Sequence, residues 1–192
     1  GKMGFAIARA AREAGADVTL VAGPVSLATP RGVRRVDVKS ARDMLAATEA
    51  TVADADVFVA TAAVADWRPL AQSDQKIKKD GSGTAPTVAF AENPDILLAV
   101  AQSERARNGA LFCVGFAAES HDLVTHARAK RERKGIPLLV GNIGPLTFGQ
   151  DDNQLLLVDA QGEQELPRAS KLVLARRLVA EIATRMAAVR AA

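Results

Sequence analysis

The sequence predicts an α/β domain, a Rossmann-like, doubly wound and mostly parallel sheet carrying a β-hairpin flap. Three observations lead there. Short apolar runs alternate with helix-period segments along the chain, as in a parallel sheet covered on both faces. Two of the runs end in small residues, at Ala60–Ala63 and at Gly115–Ala118. Residues 76–91 alternate around Asp80-Gly81-Ser82-Gly83, which reads as the flap.

The elements follow in order. Helix Lys2–Ala14 ends near Gly15, and strand Asp17–Val21 comes next. Gly-Pro and Thr-Pro mark the loop Ala22–Gly32 as turn-rich. Strand Val33–Val38 leads to Ser40, which with Asp43 forms a capping-box-like start for helix Ala41–Val52. Strand Asp56–Ala60 precedes the small-residue turn. In Asn93-Pro94-Asp95 the expected roles are cap, first helical position and dipole-matched carboxylate for helix Pro94–Arg105. Strand Leu111–Gly115, helix Asp122–Lys134 and strands Leu138–Val140 and Gln154–Val158 complete the sheet. An amphipathic helix Ser170–Val189 closes the chain.

All 192 residues are read as one domain, with a preceding strand and loop expected upstream of Gly1. The net charge of +3 comes from interleaved basic and acidic residues, which argues against duplex nucleic acid as a partner. Cys113 is the single cysteine and lies in an apolar run, so it reads as a buried structural thiol. No apolar run is long enough to span a bilayer, and a cytoplasmic location is expected.

Chemistry concentrates at strand ends. Asp66, just past strand Asp56–Ala60, reads either as a partner of Arg68 or as a ligand contact. Lys76, Lys78 and Lys79 are either charged gatekeepers of an edge strand or a phosphate-binding cluster. Gly115-Phe116-Ala117-Ala118-Glu119 repeats the earlier arrangement, and two such ends in one sheet suggest a shared crevice. Lys130 and Lys134 share a helix face, with a solvated basic helix as the alternative. No G-x-S-x-G, Walker A or H-E-x-x-H pattern is present, nor a complete G-x-G-x-x-G after a strand. His121 and His126 lack partners at zinc-ligand spacing.

Taken together, these pieces resemble the phosphopantothenate–cysteine ligase family, in its bacterial form fused to a decarboxylase. The carriers are Gly1-Lys2-Met3-Gly4, Val18–Val25, Arg35–Val38, Ala62–Arg68, Lys76–Lys79, Asn93–Leu97, Val114–Glu119 and Asp151-Asp152-Asn153, all in family order. The resemblance implies CTP-dependent ligation of 4′-phosphopantothenate to L-cysteine through an acyl-cytidylate, with Mg²⁺. It implies nucleotide contacts at Ala60, Thr61, Ala62, Asp66, Lys76, Asn93, Pro94, Phe116, Lys130 and Lys134, and substrate contacts at Ala63 and Asn142. Lys76 would be the catalytic cation, stabilising the reacting phosphoryl group; metal ligands are not identified. A homodimer through the flap and fusion to a decarboxylase domain are further implications. The family carries Ser-Asn-x-Ser-Ser before Gly-Lys-Met-Gly, so that loop is expected upstream of Gly1. Glu92, Pro137 and Gly141 depart from residues common in bacterial members. Two rival readings are a catalytically silent dimeric domain descended from the ligase and an NAD(P)-dependent oxidoreductase suggested by fold analogy.

Overall fold

The computed structural model describes residues 1–71, 75, 78, 81, 83, 85, 87–119, 122–143 and 150–191. Helix α1 (Lys2–Glu13) leads to β1 (Thr19–Ala22) and β2 (Arg34–Asp37), a parallel pair forming its own two-stranded sheet. Helix α2 (Ala41–Val52) begins with the expected capping box: the Asp43 amide donates to Ser40 Oγ and the Ser40 amide donates to Asp43 Oδ2. Strand β3 (Val57–Ala60) enters the five-stranded sheet, whose order is β3-β6-β7-β8-β9. Here β6 is Phe112–Glu119, β7 Leu138–Ile143, β8 Asp152–Val158 and β9 Glu163–Ser170. β3, β6 and β7 are parallel; β8 and β9 run antiparallel, making a mixed sheet within the α/β class.

Burial explains the centre of that order. Val114, Leu138, Leu139 and Val140 are fully buried, so β6 and β7 need both faces covered. One face packs Val114, Leu138, Val140, Leu155 and Leu157 with Ile7 of α1 and with Leu174 and Leu178 of the last helix, α6 (Lys171–Ala191). The other face packs Cys113, Leu139 and Val158 with Val100 and Ala127 from helices α3 (Ile96–Ala101) and α5 (Leu123–Lys134). Cys113 is buried as expected, and burial pushes its thiol up to about 11.

Four expectations need correction. The helix foreseen over Pro94–Arg105 is two pieces, α3 and α4 (Glu104–Arg107), because Ser103 caps a new start by accepting from the Ala106 amide. Asp95, not Asn93, is the N-cap of α3, and Pro94 lies outside the helix. The antiparallel ladder of the flap begins earlier than 76–91: β4 (Trp67–Pro69) pairs with β5 (Phe90–Glu92), and the Leu70 amide donates to the Ala89 carbonyl. The turn expected at Asp80–Gly83 lies largely outside the described residues, although Gly81 and Gly83 have φ of +83° and +72°. Strand β9 has no counterpart in the predicted elements. It tolerates Pro167 because it is an edge strand.

Helix α1 is fastened to α6 by Glu13, which accepts from Arg176 Nε at 2.7 Å and from Arg9 Nε at 2.9 Å. Arg176, then Arg9, holds the Glu13 carboxyl down at about 2 instead of the usual 4.5. A depressed carboxylate contributes stability above its ordinary range and loses it as pH falls through the folded value. Glu13→Gln is therefore expected to lower the urea midpoint at pH 7, with the gap to the parent closing between pH 4.5 and about 2. A gap that persists undiminished at the acid end would show that the carboxylate charge is not what fastens α1.

Candidate functional site

The carboxyl ends of β3, β6 and β7 lie side by side. Ala60 is level with Gly115, Phe116 with Val140, Ala117 with Gly141 and Ala118 with Asn142. This register sets the two small-residue ends, Ala60-Thr61-Ala62-Ala63 and Gly115–Ala118, side by side, and the strand-end crevice of an open α/β sheet is where ligands bind. Ala62 and Ala63 are exposed, Ala60, Thr61 and Phe116 are half-buried, and Asn142 is buried.

Helix α5 delivers two cations to this rim. Lys130 Nζ donates to the Phe116 carbonyl at 2.8 Å, tying the lysine to the end of β6. Lys134, one turn on, forms an ion pair with Asp95 at the start of α3. Its side chain is only 11% exposed, whereas that of Asp95 is 43% exposed. Burial holds the Lys134 ammonium below the ordinary lysine range, and the nearby Asp66 carboxylate partly opposes that effect. The other basic residues of α5 serve different ends. Arg128 pairs with Glu163 of β9, and Arg131 donates to the Ile136 carbonyl at 3.3 Å. Thus α5 is not a uniformly solvated basic helix; its lysines face the crevice and these arginines serve the scaffold.

Asn93 braces the opposite rim. Its Nδ2 donates to the Ala65 carbonyl at 2.9 Å, its amide donates to the Asp66 carbonyl at 2.7 Å, and its Oδ1 accepts from Arg68 Nη1 at 3.3 Å. Arg68 Nη1 also donates to the Glu92 carbonyl. These bonds fix the backbone that presents Asp66, so Arg68 is engaged with Asn93 and the foot of the flap. The Asp66 side chain is exposed, and Pro94 is half-buried beside Asn93. Lys76 and Lys79, like His121, lie outside the described residues; Lys78 is exposed.

Two residues contribute contacts that the sequence did not show. Gly4 in α1 lies where an added Cβ would stand 2.7 Å from Thr61 Oγ1, so the first turn of α1 packs on the end of β3. That contact places the amino-terminal turn of α1, the positive end of its dipole, beside Thr61. Asp95 is the other: Oδ1 caps α3 by accepting from the Leu98 amide at 3.0 Å while Oδ2 meets Lys134. Its spacing before Leu98 is a cap signature, but its charge partner is distant in sequence.

Among the described residues, no three His, Cys, Asp or Glu side chains converge as a metal-holding group. The carboxylates described at this rim are Asp66, which is exposed, and Asp95, which is paired with Lys134. This suits Mg²⁺, which is held by one or two carboxylates together with substrate phosphates. Small residues, two lysines and a helix amino terminus at one strand-end crevice form a surface suited to polyphosphate.

The chain matches the family described as DNA/pantothenate metabolism flavoprotein C-terminal domain over residues 1–186. It belongs to that family. It is 43% identical over 189 residues to the coenzyme A biosynthesis bifunctional protein CoaBC of Vibrio vulnificus (strain CMCP6), covering 97% of this chain. It is 44% identical to the protein of the same name from Escherichia coli (strain K12), covering 96% of this chain. In both cases it spans 46% of the relative, about half its length. A crystal structure of the C-terminal domain of CoaBC superposes with a TM-score of 0.76 at 32% identity, covering 95% of this chain and 81% of that one. The DNA/pantothenate metabolism flavoprotein from Streptococcus pneumoniae shares the fold with a TM-score of 0.75 at 18% identity, covering 95% and 87%.

Replacing Asp95 by Asn keeps an oxygen to cap α3 but removes the charge facing Lys134. The expected result is an unchanged fold by circular dichroism and a Lys134 ammonium that deprotonates at lower pH. NMR titration of ¹³C-methylated lysines reads this directly. An unmoved Lys134 titration would contradict the pairing.

Proposed function

We propose that this domain ligates 4′-phosphopantothenate to L-cysteine at the expense of CTP, in coenzyme A biosynthesis. The observation that carries the reading is the convergence of Lys130 and Lys134 on the joined ends of β3 and β6, in a chain 43–44% identical to CoaBC proteins.

The chemistry requires two anions to meet. A carboxylate oxygen of phosphopantothenate attacks the α-phosphorus of CTP, the bond to the bridging oxygen breaks, and pyrophosphate leaves. The cysteine amine then attacks the activated acyl carbon, loses a proton, and CMP departs as the amide forms. Lys130 and Lys134 would hold the triphosphate and offset its charge, with Lys134 exchanging Asp95 for phosphate. Positioned cations of this kind act where charge accumulates in the transition state. Ala60, Thr61 and Ala62 allow the nucleotide to approach the backbone, and Asn93, Pro94 and Phe116 flank it. Ala63 and Asn142 lie on the acyl-acceptor side. Asp66 is the carboxylate that would hold a Mg²⁺ ion carried by the triphosphate, and that ion supplies charge screening. Lys76 would stabilise the reacting phosphoryl group.

The flap also supports assembly as a homodimer. Trp67, Leu70 and Phe90 on its foot are each at least 60% exposed, and Val88 is 47% exposed. Exposed apolar side chains gathered on one arm mark an association surface. A decarboxylase domain in the remaining half of the full-length protein accords with the bifunctional names of the relatives.

The test is pyrophosphate release from 4′-phosphopantothenate with CTP, with and without cysteine, using this chain and a form extended upstream. Release from the extended form is expected, with sedimentation as a dimer. Lys76→Gln should reduce turnover about a hundredfold, the scale of losing one transition-state charge stabiliser, without shifting thermal melting. A folded extended form that releases no pyrophosphate would refute the ligase reading, and wild-type turnover in Lys76→Gln would remove that lysine from the reaction.

A further inference from the structure

Strands β4 and β5 form a ribbon with two unlike faces. Trp67 is opposite Glu92, Arg68 opposite Ala91 and Pro69 opposite Phe90. Side chains alternate along a strand and opposite residues share a face, so Arg68 and Ala91 lie together on one side. Those two are half-buried, whereas Trp67, Pro69, Phe90 and Glu92 on the other side are exposed. From the covered face Arg68 Nη1 donates to the Glu92 carbonyl and, at 3.3 Å, to Asn93 Oδ1. Asn93 in turn donates through Nδ2 to the Ala65 carbonyl at 2.9 Å and through its amide to the Asp66 carbonyl at 2.7 Å. Arg68 is the cation nearest Asp66 in sequence, yet these bonds direct it to Glu92 and Asn93, and the Asp66 side chain is exposed.

We infer, on the ligase reading above, that Arg68 is a positioning residue of the nucleotide site, acting through Asn93 to hold the Asp66 carboxylate where it meets the nucleotide. The side-chain amide of Asn93 has an accepting end and a donating end, and a guanidinium can only donate. Arg68 therefore requires Oδ1 on its own side, which turns Nδ2 toward Ala65. A neutral side chain at position 68 would leave that choice open and cost the 65–66 backbone one of its two ties to Asn93. The guanidinium keeps its charge at every working pH, and hydrogen bonds from an ionised donor are the stronger kind. The anchor also matters because a two-stranded ribbon is marginal in water by itself. A displaced Asp66 would be the consequence, with no nucleotide contact assigned to Arg68 itself.

The experiment is calorimetry of CTP binding, with Mg²⁺, to the form extended upstream, comparing Arg68→Met, Asp66→Ala, the double variant and Arg68→Lys. Arg68→Met and Asp66→Ala should each weaken CTP about tenfold, the scale of one charge-assisted hydrogen bond, and the double variant no more than either. Arg68→Lys keeps a donating cation and should stay within about threefold of the parent. The Asn93 side-chain amide resonances should move in Arg68→Met, a readout that needs no nucleotide. Unchanged CTP affinity in Arg68→Met, losses that multiply in the double variant, or an unmoved Asn93 amide would each overturn the positioning role and leave the ligase reading standing. A folded parent that binds no CTP would overturn both.

Discussion

The candidate site depends on the close packing over Gly115. A Cβ there would stand 2.7 Å from Leu97 Cδ2, 2.7 Å from Ile136 Cδ1 and 3.0 Å from Leu139 Cδ1. A side chain there would have to push aside the terminal methyls of Leu97, Ile136 and Leu139 together, so glycine suits the packing of α3 on β6. Leu97 belongs to the first turn of α3, so the contact also sets where Asp95 stands. From that place Asp95 can cap the helix and meet Lys134 across the crevice. A core contact is thereby linked to the placement of a largely buried cation. Because interiors are packed at crystal-like density, such a contact transmits small displacements instead of absorbing them.

The crevice has two differently built rims. On one side Lys130 and Lys134 are fixed by a backbone carbonyl and a carboxylate. On the other, Asn93 and Arg68 knit residues 65–68 to the foot of the flap. Any displacement of the flap is therefore passed to the backbone that presents Asp66. Under the proposed function, a phosphate entering the crevice would find cations already in position and a carboxylate it could displace. That is preorganisation of positive charge, with Asp95 neutralising a partly buried lysine in the meantime.

Much of this was legible in the residues. The buried parallel strands announce themselves as apolar runs, and the four-residue spacing of Lys130 and Lys134 fixes their shared face. Ser40 and Asp43 form their capping box because every partner is local. Asn93 and Asp95 show where local reading stops. Both carry an oxygen that can cap, and which one is free depends on Ala65, 28 residues from Asn93. Strand β4 was hidden because Trp67–Pro69 is short, contains proline and is defined only by its pairing with Phe90–Glu92. Strand β9 was hidden for a similar reason: its charged residues and Pro167 suit an edge that only β8 makes visible. Gly4 and Gly115 each looked like an ordinary small residue until the atoms facing them were known.

The most direct test of the account is a crystal structure of the chain with CTP and Mg²⁺. The triphosphate is expected within hydrogen-bond distance of the Lys130 and Lys134 ammonium groups, with Lys134 released from Asp95 and the nucleotide lying against Ala60–Ala63. Nucleotide bound elsewhere, with Lys134 still paired to Asp95, would contradict it.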